Sequence, residues 1–242
     1  MKRGCFFLIT FFLASLVLVS GVSAEDGAMS TRIGIHVIGG VGFANNVRMA
    51  DRLNIRRDIA KVTYSGEENE DQREEPLGYA GIELEPRFFY HNIVCAVSVG
   101  YYNVNNGVRE VNGTVGPTPV TYRAELDLTF TAYRGTVYYK VTLDEDSFVL
   151  LGWGIGYYSG TMEESFGLIG SEQSDKDTQS SIGWNSALEY NLIFFNSVNL
   201  SIGILSRFAE VYDFRVNEAD EDDKFSGGLT GLYLYAGVGY LL

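Results

Sequence analysis

The stretch "GIELEPRFFY" sets Glu83, Glu85 and Arg87 at every second position. In a strand this spacing puts all three on one face. Two carboxylates on one face are the raw material of acid–base hydrolysis. An arginine beside them favours ion pairing instead. Similar spacing recurs in "RAELDL", with Arg123, Glu125 and Asp127, while Glu189 and Arg207 stand within otherwise apolar segments. Spacing establishes a shared face and nothing more, so ion pairing is the reading adopted and no catalytic residue is assigned. The two histidines do not change this. His36 in "GIHVIGG" has no serine two residues away, and His91 falls in a short turn.

Two further charge clusters could recognise something. "VRMADRLNIRRDIAK" carries Arg48, Arg52, Arg56 and Arg57 and runs into the acidic "SGEENEDQREE". It reads as a solvated loop with internal charge pairing, or as a basic surface for anionic lipid or a host partner. "NEADEDDKF" lacks the spacing and the glycine of a calcium-binding EF-hand loop, so no metal site and no cofactor are assigned.

The elements that would carry these residues alternate with period two. Tyr (16) and Phe (15) are abundant and Pro (4) is scarce, a composition suited to strands. Eight segments alternate: 31–43, 77–90, 93–103, 120–141, 148–159, 182–194, 198–211 and 231–242. In the first, Ile33, Ile35 and Val37 oppose Gly34, His36 and Ile38. In the fourth, Tyr122, Ala124, Leu126, Leu128 and Phe130 oppose Arg123, Glu125, Asp127 and Thr129. In the fifth, Val149, Leu151, Trp153 and Ile155 oppose Gly152, Gly154 and Gly156. Long and short links alternate along the chain, the short ones being His91-Asn92, the "TLDEDS" turn and the "FNS" turn. Aromatic clusters mark the segment ends: Phe88 to Tyr90, Tyr101-Tyr102, Tyr138-Tyr139, Tyr157-Tyr158 and Phe194-Phe195.

The chain begins with Lys2-Arg3, an apolar run, and "SGVSA", the pattern of a secretory signal peptide cleaved after Ala24. Residues 25–242 then form the mature barrel domain, with Cys95 as its one cysteine and no intramolecular disulfide. The formal net charge of −13 argues against a nucleic-acid partner, and loss of Lys2 and Arg3 deepens it. After the leader, no apolar run is long enough for a membrane helix. The apolar rows are more continuous than the rows opposite them, which carry Glu, Asp, Arg, Asn and Gly. A soluble barrel of the lipocalin kind has the reverse polarity. The pattern therefore predicts an all-β, eight-stranded, antiparallel up-and-down transmembrane β-barrel. The aromatic clusters become its interfacial girdles, and its long links become four extracellular loops. Glu83, Glu85, Arg87, Arg123, Glu125, Asp127, Glu189 and Arg207 form a lumen charge network, a plug rather than an ion path, because eight strands enclose just enough space for side chains. The inward glycines of the fifth segment offer local room.

With these residues in view, the chain resembles the small eight-stranded bacterial outer-membrane barrels, the class of the OmpA membrane domain, OmpX and OmpW. The resemblance rests on the leader, the architecture and the last segment, "YAGVGYLL". There Val238, Tyr240 and Leu242 fill the places of the C-terminal assembly signal, with Leu242 where Phe is usual. It implies residence in the outer membrane, contact with its lipid and lipopolysaccharide-like surface, handling by the barrel-assembly machinery, and a monomer. The expected role is a surface-exposed structural or adhesin-like interaction protein without a large pore, facing a host or surface ligand. A conduit for small apolar solutes, as in OmpW, is the alternative, and a lipid-modifying enzyme a further one.

Overall fold

The computed structural model describes residues 31–44, 46–74, 78–215 and 224–242. Residues 1–30, which hold the expected signal peptide, and residues 216–223 of the acidic "NEADEDDKF" stretch lie outside the described residues.

Alternating β-branched and aromatic residues give long strands. β1 (Arg32–Ala44), β3 (Gly78–Tyr90), β4 (Ile93–Val115), β5 (Thr118–Thr142), β6 (Ser147–Leu168), β7 (Gln173–Phe194), β8 (Val198–Phe208) and β11 (Gly231–Leu241) are all barrel staves. Each pairs antiparallel with its chain neighbour in this series, and β11 returns to β1, with Gly34 opposite Leu241 and Ala44 opposite Gly231. The described staves thus close a ring of eight, and closure removes the free edge that an apolar strand such as β11 would otherwise present.

The two ends of the ring differ. At one, the turn end, tight turns join the staves. His91 at φ 51° and Phe195-Asn196 at φ 52° and 59° take the left-handed conformation that short hairpins require. At the other end β1 leads into helix α1 (Val47–Tyr64), the short strand β2 (Glu67–Glu68) and a 3-10 turn at Glu70–Gln72. The β8–β11 link carries the hairpin of β9 (Glu210–Arg215) and β10 (Lys224–Gly228). We call this the helix end.

Two of the four long loops expected from the sequence are not loops. β4 and β5 run on to a turn at residues 116–117, and β6 and β7 to a turn at residues 169–172. β5 alone has 25 residues, against roughly 9–11 for a strand that crosses a bilayer. The upper halves of β4 to β7 therefore stand beyond the barrel proper as a continuous sheet. The upper half of β5 is legible in the sequence within 120–141, whereas in β4, β6 and β7 glycines, hydroxyls and charges interrupt the apolar alternation and hide the continuations.

Helix α1 fills the concave side of this extension. Met49, Leu53 and Ala60 are fully buried against a core that includes Leu126, Leu128, Phe130, Met162, Phe214 and Leu229. Burial of Met49 and Leu53 contributes about 1.5–3 kcal/mol each. Asn46 precedes the helix and accepts a hydrogen bond from the Gly228 N–H at 3.2 Å, tying its start to β10. Ser65, at φ 48°, ends it, and the Gly66 N–H closes onto the Lys61 carbonyl at 3.1 Å.

The wall changes polarity along its length. Along the barrel proper the outward rows are apolar and exposed: Ile33, Ile35 and Val37 on β1, Leu151, Trp153 and Ile155 on β6, Leu200, Ile202 and Ile204 on β8, and Leu232, Leu234, Val238 and Tyr240 on β11. Towards the helix end the outward rows become polar, with Arg123 and Glu125 paired along β5 at 2.9 Å and Glu163 facing Lys176 at 3.7 Å. The inward rows change in the opposite sense, from charged to apolar.

Candidate functional site

The lumen of the barrel proper holds the candidate site. On β3, Glu83, Glu85 and Arg87 share one face, as their spacing requires, and that face points inward, with all three buried. β7 contributes Glu189 and β8 contributes Arg207, both with no exposed surface. The fourth stave supplies Arg134, a residue absent from the sequence-based set.

These six charges form one bonded layer across the barrel. Arg87 donates to Glu85 at 2.7 Å and forks onto Glu189 at 2.5 and 2.8 Å. Arg134 donates to Glu83 through Nε at 3.1 Å and through Nη2, and reaches Glu85 at 3.4 Å. Arg207 donates to the other Glu83 oxygen at 2.5 Å. Three guanidinium groups thus meet three carboxylates, so the layer is formally neutral and each charge has a partner. This is the condition under which buried ions are tolerated.

Tyrosines complete the layer. Tyr102 donates to Glu83 and receives a hydrogen bond from Arg207. Tyr235 donates to Glu189 at 2.8 Å. The Arg207 guanidinium lies 4.2 Å from the Tyr102 ring centroid and 4.6 Å from that of Tyr233, whose ring stacks on Tyr79 at 5.6 Å. Arg207 is therefore held by both charge and π-face contacts. His36 is fully buried nearby, and neither ring nitrogen has a protein partner among the described residues. No group of side chains among the described residues could hold a metal ion.

Three members of the sequence-based network lie elsewhere. Arg123 and Glu125 face outward, the Arg123 side chain being 40% exposed and ion-paired to Glu110 and Glu125, and Asp127 shares that outward row. The apolar row opposite them, from Tyr122 to Phe130, faces inward. The assignment to the lumen assumed one outer solvent along the whole strand. In the extended half the outside is polar and the inside is a core, so the same alternation has the opposite meaning. Carrying the parity up from Tyr138 would have exposed the error and found Arg134.

The glycine row of β6 gives no open space. A methyl placed on Gly152 would lie 2.5 Å from the Tyr138 ring, and one on Gly156 would lie 2.8 Å from Tyr158. The lumen is packed against these glycines rather than left open beside them. Likewise, the gap lined by Ile38, Glu83, Glu85, Arg134, Tyr138, Leu205 and Tyr235 leaves no room for a water molecule.

The aromatic doublets split. Tyr101, Tyr139 and Tyr157 face outward, whereas Tyr102, Tyr138 and Tyr158 fill the lumen. Adjacent residues on a strand cannot share a face, so each doublet gives one outer residue and one inner residue.

The basic stretch is helix α1, not a loop. Arg52 and Arg56 both reach inward to Glu164 of β6, which has no exposed surface. The Arg56 guanidinium also covers the Phe166 ring at 3.8 Å. Arg57 pairs with Asp58 at 2.8 Å and Glu68 at 3.1 Å. The Arg57 contact holds the Asp58 carboxyl below the usual carboxylate range. Of the four arginines expected to form a binding surface, Arg48 alone is exposed; the other three are engaged internally. On β11, Val238, Tyr240 and Leu242 share the outward row with Leu232 and Leu234.

The fold and the filled lumen define the class, a small closed eight-stranded antiparallel β-barrel. No family model matches the chain, and no curated protein matches it. Among solved structures it is similar to Neisserial surface protein A, with 12% identity over 86% of this chain and 96% of that one and a TM-score of 0.47. It is also similar to the outer membrane protein OprG from Pseudomonas aeruginosa, with 9% identity, 89% and 98% coverage and a TM-score of 0.42. The attachment invasion locus protein Ail of Yersinia pestis, solved with the heparin analogue sucrose octasulfate, gives 15% identity, 88% and 100% coverage and a TM-score of 0.37.

Proposed function

We propose that this chain is a bacterial outer-membrane barrel that carries a closed, surface-exposed head and conducts no solute. The single observation that carries this reading is the change of wall polarity. An exposed apolar belt surrounds a charged interior near the turn end, and a polar wall surrounds an apolar core near the helix end. The first arrangement suits hydrocarbon and the second suits water. The turn end then faces the periplasm and the helix end the outside. In this reading Tyr101, Tyr133 and Tyr157 mark the outer interface, where the outward rows change character, and Tyr139 and Tyr240 belong to the periplasmic one.

Both halves of the channel are filled. The Arg–Glu–Tyr layer blocks the membrane section, and α1 with its core blocks the outer section. The packing behind Gly152 and Gly156 weighs against the apolar-solute conduit, which needs space there. The protein works as a structural or interaction protein, with its projecting β4–β7 sheet and α1 as the recognising parts. No catalytic residue is assigned to it, and Val238, Tyr240 and Leu242 act as the row read by the assembly machinery.

The test is insertion and conductance. The refolded chain should require detergent or lipid, and should run faster on a denaturing gel when unheated. In planar bilayers it should carry no steady current. A monomer soluble without detergent would overturn the membrane placement, and reproducible channels would overturn the sealed lumen.

A further inference from the structure

Below the charge layer, the turn end of the lumen opens into a cavity of about 280 Å³ that the plug does not use. Its walls include the buried rings of Phe89 and Phe148, with Leu241 and Ile193 beside them. Arg32 and Lys140 stand on its rim. The Lys140 ammonium lies 4.7 Å from the centroid of the Phe148 ring. Glu145 also lines the rim, yet no ion pair joins it to either cation among the described residues. This differs sharply from the layer above, where every arginine meets a carboxylate.

We propose that this mouth binds a free anionic amphiphile, a single carboxylate or phosphate head on a short apolar or aromatic body. Two like charges on one rim, neither with an ion-pair partner among the described residues, favour an anion there. The buried rings offer an apolar body a dry contact. The size is near the lower end of small-molecule sites, which restricts the body to roughly the bulk of one aromatic ring with a short linker. Arg32, Lys140, Phe89, Phe148, Ile193 and Leu241 lie on inward rows and the remaining lining comes from the stave ends and turns, so the ligand enters from the aqueous compartment at that end rather than from the surrounding lipid. This inference rests on the membrane reading for the entry route and for the choice of sample.

The probe is 3-phenylpropionate, with 3-phenylpropanol and inorganic phosphate as controls. The chain is held in discs of neutral phosphatidylcholine, its insertion scored separately by gel mobility. Methyl resonances of Ile193 and Leu241 report binding. The acid should give saturable shifts and bind at least tenfold tighter than the alcohol or phosphate. Arg32→Gln and Lys140→Gln should each weaken it about tenfold while leaving gel mobility unchanged. Equal affinity in discs of phosphatidylglycerol supports a free ligand. If anionic lipid abolishes binding, a lipid headgroup is the occupant and the proposal fails. It also fails if the acid gives no saturable shift, if the alcohol matches it, if phosphate alone matches it, or if the double Gln variant binds as well as the parent.

Discussion

Arg87 on β3 and Glu189 on β7, 102 residues apart in the chain, meet as a forked pair at 2.5 and 2.8 Å in the centre of the barrel. Neither has exposed side-chain surface. The pair spans the lumen and joins walls that share no hydrogen-bond ladder, so it acts as a cross-brace. Arg87→Ala would leave Glu189 and Glu85 buried against lost charge. Its cost should be about 3–5 kcal/mol, reduced where water enters or a carboxylate takes up a proton. Urea unfolding in lipid vesicles, followed by tryptophan fluorescence, measures it. Replacing the pair together, as Arg87→Met with Glu189→Leu, should recover most of the loss.

The parity of β5 gives a paired test. Arg134→Ala removes one of the two arginine partners of Glu83 and its contact to Glu85, a buried loss that should far exceed that of an exposed pair. Arg123→Ala removes an exposed ion pair and should cost under about 1 kcal/mol. The same unfolding measurement on both variants ranks them, and equal costs would contradict the outward placement of Arg123.

Glu164 holds α1 in place through Arg52 and Arg56. Glu164→Gln should leave gel mobility and the barrel amides unchanged while speeding amide hydrogen exchange through Val47–Tyr64. A truncated anchor at Leu53→Ala should act on the same segment, with a core cost of about 2–5 kcal/mol. Exchange that stays slow in Glu164→Gln would show that the apolar contacts suffice without the ion pairs.

Tyr240 faces outward on β11, between Leu242 and Val238. Tyr240→Asp puts a charge on the apolar belt, with a depth-dependent cost of up to a few kcal/mol, and interrupts the proposed recognition row. Yield in the outer-membrane fraction should fall, while Tyr240→Phe should assemble normally. Normal yield for the Asp variant would remove Tyr240 from the assembly signal.

Gly152 lies under the Tyr138 ring. Gly152→Leu should lower barrel stability by about 1–3 kcal/mol through overpacking. It should not change conductance, because the space is already filled. A parent current blocked by this substitution would favour the conduit.

The sequence by itself determined the eight staves, their antiparallel meander, and the division of each into an apolar row and an opposite row, the latter carrying Glu83, Glu85, Arg87, Glu189 and Arg207. All of these follow from period two, which is local: a residue's face is set by its neighbours two positions away. Tertiary structure alone decided which side of each face is water. In β5 the alternation never breaks between Tyr122 and Tyr138, yet the solvent outside changes partway, so Arg123 is exposed and Arg134 becomes the central cation. It also decided the role of the basic stretch. Arg52 and Arg56 look like free surface charge until β6 brings Glu164 beneath them from 108 or more residues away. Pairings at such separation depend on barrel closure and stagger, and no local spacing encodes them.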